Sequence, residues 1–205
     1  MISRVIAAAL VAGLAATGAG AATLDFVAEA FGDERGVADG TTINNVNTGF
    51  LNVTFSSSHF AYFDDLSGGK PAGLGVCKVL TGDAQCKPSS DDNVTSGESV
   101  TLTFDTMVDL LGLSFFNADH NPVSATDTLR IGTDLMAIGE TTFGAASAAT
   151  FSGITSITFA YGGSSANQFY VAGATATPVP IPASLPLLVG GLGLMGWVAR
   201  RRRKA

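Results

Sequence analysis

Between about residue 23 and residue 176, apolar side chains recur at every second position, and no stretch sustains the 3.6-residue spacing of an amphipathic helix. The runs are Leu51-Val53-Phe55, Val100-Leu102-Phe104, Leu111-Leu113-Phe115, Leu129-Ile131 and Ile157-Phe159-Tyr161. Skipping one position puts each apolar set on one face of a strand, while the intervening Thr, Ser, Asn and Asp suit a solvated face. Clusters such as Asp65-Leu66-Ser67-Gly68-Gly69-Lys70-Pro71 separate the runs, and Leu129 to Leu135 reads as a hairpin with a short glycine-containing loop. The pattern predicts one all-β domain over residues 22–176, an antiparallel β-sandwich with jelly-roll-like connectivity. No internal repeat of convincing period is present.

Charge narrows the partners. The chain has 205 residues and a formal charge of −6. Arg4 and the run Arg200, Arg201, Arg202, Arg203 and Lys204 hold six of its eleven cations at the ends. Arg35, Lys70, Lys78, Lys87 and Arg130 then face all 17 acids, which leaves the middle at −12. So acidic a body repels phosphate backbones and excludes nucleic acid as a partner, while it accepts cations, sugars and basic molecules.

The two ends read as addresses. Arg4, an apolar run from Val5 to Ala16, and Ala19-Gly20-Ala21 reproduce the charged, apolar and A-x-A regions that signal peptidase reads. Residues 1–21 are thus expected to be a secretory signal peptide, too short in its apolar part for an N-terminal anchor. At the other end, Ile181 to Ala199 is uncharged and runs directly into the five cations. Nineteen helical residues extend about 28 Å, close to the thickness of a hydrocarbon core. The cations would stop transfer and stay cytoplasmic, leaving the body outside. Thr175 to Pro178 reads as a short, proline-stiffened linker into this segment.

Val179-Pro180-Ile181-Pro182-Ala183, the glycine-rich apolar segment and the terminal arginines together resemble a VPLPA-CTERM sorting domain, a variant of the PEP-CTERM signals, over residues 177–205. Ile181 stands where the family name has Leu. The resemblance implies recognition by an exosortase, a membrane-embedded cysteine transpeptidase-like enzyme that cuts near the proline motif. The membrane would be a partner only until processing, and the body would end at the envelope surface or outside the cell. A second, weaker similarity covers Gly73-Leu74-Gly75-Val76, Ser90-Asp91-Asp92-Asn93-Val94 and Gly97-Glu98-Ser99-Val100-Thr101-Leu102-Thr103-Phe104. These stretches are similar to bodies found ahead of PEP-CTERM-type tails, and they imply architecture rather than activity.

Cys77 and Cys86 are the only cysteines. In an exported chain an isolated pair of this kind is expected to form a disulfide, closing a surface loop that holds Lys78, Gly82 and Asp83. A catalytic thiol would need an activating histidine, which is not evident, and a zinc site using His59 or His120 has no supporting spacing.

Asp91-Asp92-Asn93 offers hard oxygen ligands, with Asp64, Asp65 or Asp119 able to complete a calcium site, although Asp and Asn also serve turns through their own backbone bonds. No other cofactor is implied. His120, between Asp119 and Asn121-Pro122, reads as a solvated turn histidine with acid/base work as its alternative, and His59 reads as packing or capping a strand end. Asn52-Val53-Thr54 and Asn93-Val94-Thr95 match sequons by pattern alone. There is no G-x-S-x-G, no H-E-x-x-H and no Walker-type loop. The sequence therefore points to a non-catalytic surface or matrix protein, associated with envelope or extracellular polysaccharide. The alternative is a secreted hydrolase acting on such a polymer, for which two carboxylates facing across a groove would be the signature.

Overall fold

The computed structural model describes residues 20–46 and 51–179, together with Leu192, Met195 and Arg200. The chain divides into a compact unit, Gly20–Val179, and a second unit made of 1–19 with 180–205. In the second unit Leu192, Met195 and Arg200 are helical and exposed. Residues 1–19 of the expected signal peptide, Pro180, Ile181, Pro182, Ala183 and Arg201 to Lys204 lie outside the described residues. Among the described residues no helix is long and apolar enough to cross a membrane.

The larger unit is all-β and sandwich-like. Its strands are β1 (Ala22–Asp25), β2 (Arg35–Val37), β3 (Thr41–Ile43), β4 (Val53–Ser57), β5 (Phe60–Asp64), β6 (Gly73–Cys77), β7 (Ser99–Asn117), β8 (Thr128–Thr133), β9 (Met136–Thr142), β10 (Thr150–Ala160) and β11 (Phe169–Pro178). The strands pair antiparallel in the order β2-β5-β6-β11-β7-β10-β8-β9, with β1 on β11, and β4 joining β3 to β7. Two short helices, α1 (Phe26–Ala30) and α2 (Phe143–Ala148), start at side-chain caps: Asp25 accepts from the Ala28 N–H and Thr142 from the Ala145 N–H.

The expected alternation holds in Val53 and Phe55, in Val100, Leu102 and Phe104, in Leu129 and Ile131, and in Ile157 and Phe159, all of which are buried. It fails at Leu111, which is 38% exposed while Leu110 and Leu113 are buried. The two runs at 100–104 and 111–115 are parts of one 19-residue strand, β7, and Gly112 adopts φ +64 inside it. Four residues from Leu111 to Ser114 oppose only three from Thr175 to Gly173 on β11. That bulge shifts the side-chain phase by one and turns Leu111 outward. β11 also continues to Pro178 opposite Val108, so the segment from Thr175, which reads as a linker, completes a strand.

One apolar core fills the interior. Phe26, Phe55 and Phe63 meet at centroid distances of 5.2–6.4 Å. A second group, Phe115, Phe143, Phe159 and Phe169, meets mainly edge to face. Burying each such ring contributes roughly 1.5–3 kcal/mol, and the edge-to-face geometry adds to it.

The other face of the central strands carries the candidate site. Ala61 and Phe63 of β5, Leu74 and Val76 of β6, and Phe169 and Val171 of β11 belong to the core. By the period of two, Tyr62, Asp64, Gly73, Gly75, Cys77 and Tyr170 share the opposite face. Tyr62, Asp64, Cys77 and Tyr170 are nonetheless buried, because the chain from Lys78 to Asn93 and the turn around His120 lie over them.

Candidate functional site

A glycine and a disulfide hold the covering segment down. At Gly75 a Cβ would overlap the Asp92 carbonyl oxygen and the Asn93 Cα, so only glycine lets this segment lie directly on β6. Cys77 on the sheet face bonds Cys86 of the segment, with Cα atoms 5.7 Å apart, as the sequence leads one to expect. The bridge packs on Tyr62 and Leu80. The Tyr62 hydroxyl accepts from the Cys86 N–H and donates to Glu34 Oε1 at 2.5 Å. Burial, followed by the bond to Glu34, pushes this phenol above its ordinary range.

Asp92 is thereby delivered to Tyr170, whose hydroxyl donates to Asp92 Oδ1 at 2.5 Å and lies near the Asp64 carboxyl. The Tyr170 ring stands edge-on to His120, 5.2 Å between centroids. His120 reaches this position because Asn117 Oδ1 accepts from the Asp119 and Asn121 N–H groups, tightening a turn in which His120 itself takes φ +58. The residue is 9% exposed, so it is not the solvated turn histidine that its neighbours suggest. Long-range packing of the turn against Asp64 and Tyr170 overrides the local pattern.

The protons of this cluster follow from its geometry. His120 Nδ1 lies 3.2 Å from the Lys70 carbonyl, which can only accept, so Nδ1 carries hydrogen. Nε2 then faces Asp64 Oδ2 at 3.1 Å. A bare Nε2 against a carboxylate would be repulsive, so one proton belongs to the pair, on Asp64 or on the imidazolium. Burial first, and then the charge of Asp92, raises the Asp64 carboxyl to about 7. Burial also raises Asp92, while the Tyr170 bond pulls it back. The Tyr170 phenol is pushed up by burial and by the charges of Asp92 and Asp64.

These groups line a cavity of about 500 Å³, walled also by Glu34, Leu66, Ser67, Ser89, Ser90, Asn93, Ala118 and Gln168. A second cavity of about 570 Å³ shares Ser67, Ala118 and His120 with it and adds Lys70, Asp119 and Asn121. Both volumes lie in the range of small-molecule sites. Asp64 Oδ2 shares the proton of the His120 pair, and one buried acceptor at the first cavity, Asn93 Oδ1, has no hydrogen-bond donor. Buried polar atoms are rarely left so, and a ligand or water supplies what the fold does not.

The acids singled out from the sequence are divided by the fold. Asp92, Asn93 and Asp64 come together, but Asp91 turns to Lys78, its Oδ1 2.7 Å from Nζ. The same Nζ reaches Glu98 Oε1 at 2.8 Å. Asp65 accepts from the Gly32 N–H, and Asp119 lines the neighbouring cavity. Among the described residues no three His, Cys, Asp or Glu side chains converge as a metal site. Asn93 is 4% exposed, so its sequon is closed to glycosylation in the fold, and Asn52 donates to Asp105. His59 is exposed beside Ser58. Sequence reasoning missed Tyr170 and Glu34. Tyr170 left a faint trace, an aromatic out of phase between Phe169 and Val171, whereas nothing local marks Glu34.

No family model, curated protein or solved structure matches this chain.

Proposed function

We propose that this chain is an exported, non-catalytic cell-surface or matrix protein. In this reading it is sorted by an exosortase through Val179 to Ala183 and the following segment, and it holds envelope or extracellular polysaccharide at the Asp64–Asp92–His120–Tyr170 cavity. The observation that carries the binding role is the polar, carboxyl-lined cavity with a donor-less acceptor at Asn93 Oδ1. Hydroxyl-rich ligands supply donors of this kind. The Cys77–Cys86 bridge supports export, since disulfides persist in oxidising compartments. β1 starts at Ala22, so cleavage after Ala21 would leave the folded unit whole. The crossovers that set β11 between β6 and β7, and β10 between β7 and β8, support a jelly-roll-like connectivity.

Hydrolysis takes second place. Asp92 is engaged with the Tyr170 hydroxyl and Asp64 with His120, whereas glycosidase carboxyls face each other across the bond they cut.

Mass spectrometry of the mature protein tests the sorting role. The reading expects a first residue near Ala22 and a C-terminus near the proline motif, and an intact tail in a host lacking its exosortase. A tail retained in both hosts refutes sorting. Incubation with the host's exopolysaccharide tests the rest: retention on the polymer without new reducing ends is expected, and new reducing ends lost in Asp64→Asn would make the protein a hydrolase.

A further inference from the structure

We infer that the cavity bordered by Asp64, Asp92 and Asn93 receives a primary ammonium group, carried by an amino sugar or by a small free amine. The inference rests on the reading of this cavity as a ligand site and names the chemistry it selects.

Three features converge on a compact cationic donor. Glu34, Asp64 and Asp92 line the cavity, and no Lys or Arg does. An anion is therefore repelled, and the acidic body around it reinforces that sign.

The hydrogen-bond inventory points the same way. Two of the site's donors are spent, the Tyr170 hydroxyl on Asp92 and His120 Nδ1 on the Lys70 carbonyl, and its others are the Ser67, Ser89, Ser90 and Gln168 side chains of the lining. One acceptor is not spent. Asn93, 4% exposed, lines the cavity and presents Oδ1 without a donor, while Asp64 Oδ2 faces only the proton it shares with His120 Nε2. What the Asn93 oxygen lacks is a donor, and what the lining has in excess is carboxyl groups. An ammonium brings three donors and one positive charge at a single atom.

A metal ion answers the charge but not the geometry, because it needs several ligands at one centre and no three acids or histidines converge among the described residues. A neutral hydroxyl answers the donors but not the charge. Leu66, 43% exposed at the rim, gives an apolar wall for the carbon frame of the ligand. The adjoining cavity past His120 gives a chain of sugars room to continue.

The test is isothermal titration calorimetry on the full exported chain in detergent, with four probes: a glucosamine tetramer, its N-acetylated counterpart, putrescine and cellotetraose. The glucosamine tetramer should bind at least about tenfold more tightly than its acetylated form, the loss expected when a charged donor becomes a neutral amide. Asp92→Asn keeps an acceptor for Tyr170 and should weaken the amine by about tenfold or more. Asp64→Asn should do the same, while Asp83→Asn, on the exposed disulfide loop, should change nothing. Melting curves establish that each variant is folded. Putrescine binding as tightly as the tetramer would assign the amine to a small free molecule, and weak putrescine binding would assign it to an amino-sugar polymer. Either result upholds the ammonium site. Neutral and acetylated tetramers binding as tightly as the amine would overturn the inference and leave the polysaccharide reading standing. Silence from all four probes would overturn both the inference and the binding role, without touching the sorting role that the mature C-terminus reports.

Discussion

Asp64→Asn should stabilise the protein at neutral pH and leave it unchanged in acid. The Asp64 carboxyl is 7% exposed and sits beside Asp92, with Glu34 and Asp65 adding negative charge and His120 Nε2 3.1 Å away. Its pKa rises from an ordinary 3.8 to about 7. Below about pH 4 the group is protonated folded and unfolded, and it contributes no penalty. Between 4 and 7 the unfolded chain ionises while the folded one keeps its proton, so stability falls as pH rises. Above 7 the penalty is complete. At about 1.4 kcal/mol per tenfold in proton affinity it amounts to at most about 4 kcal/mol, and water and side-chain relaxation reduce it to roughly 2–4 kcal/mol. Asn cannot ionise, and its amide can donate to His120 Nε2 as a protonated Asp64 does. Urea melts of wild type and Asp64→Asn at pH 4, 6 and 8 should coincide in acid and separate by pH 8 in favour of the variant. A gap of equal size at all three values, or none at pH 8, would show that burial does not hold the proton on Asp64. The same substitution removes a charge from the cavity, so the gain in stability should accompany a loss of amine binding. That opposition marks residues kept for function.

Other outcomes follow from the supports of the site. Replacing Cys77 and Cys86 by Ala frees a loop of sequence separation 9 and should cost roughly 2–3 kcal/mol in denaturant melts. An unchanged midpoint would mean that the bridge does not restrain the covering segment. Gly75→Ala places a Cβ on the Asp92 carbonyl and should cost roughly 1–3 kcal/mol by overpacking. It should also shift the near-ultraviolet tyrosine signal as the Tyr170–Asp92 bond breaks, and wild-type spectra and melting would argue against the close approach. Pro180→Ala with Pro182→Ala should leave insertion intact and accumulate uncut precursor on immunoblots, whereas normal processing would remove the proline motif from the recognition signal.

Much of the architecture is written locally. Alternation in Val53-Phe55, Val100-Phe104 and Ile157-Phe159 fixes strands and their buried faces, because a strand sends successive side chains to opposite sides. The lone cysteine pair fixes the disulfide, since no other partner exists. What alternation cannot carry is a change of phase. The bulge at Gly112 reverses the face of Leu111, and its position depends on how β7 meets β11.

The candidate site was half legible for the same reason. Composition and spacing present Asp64, Asp92, Asn93 and His120 as polar residues in or beside turns, and turn acids look alike whether they are solvated or buried. Their sorting depends on pairings tens of residues apart. Lys78 takes Asp91, Tyr170 takes Asp92, and the His120 turn closes on Asp64 across 56 positions of chain. The sequence by itself determined the β architecture, the acidic charge and the covalent loop, since each is set by neighbours along the chain or by a count. Only the tertiary structure decided which acids lose water and share a proton, because desolvation depends on what the folded chain lays over a side chain.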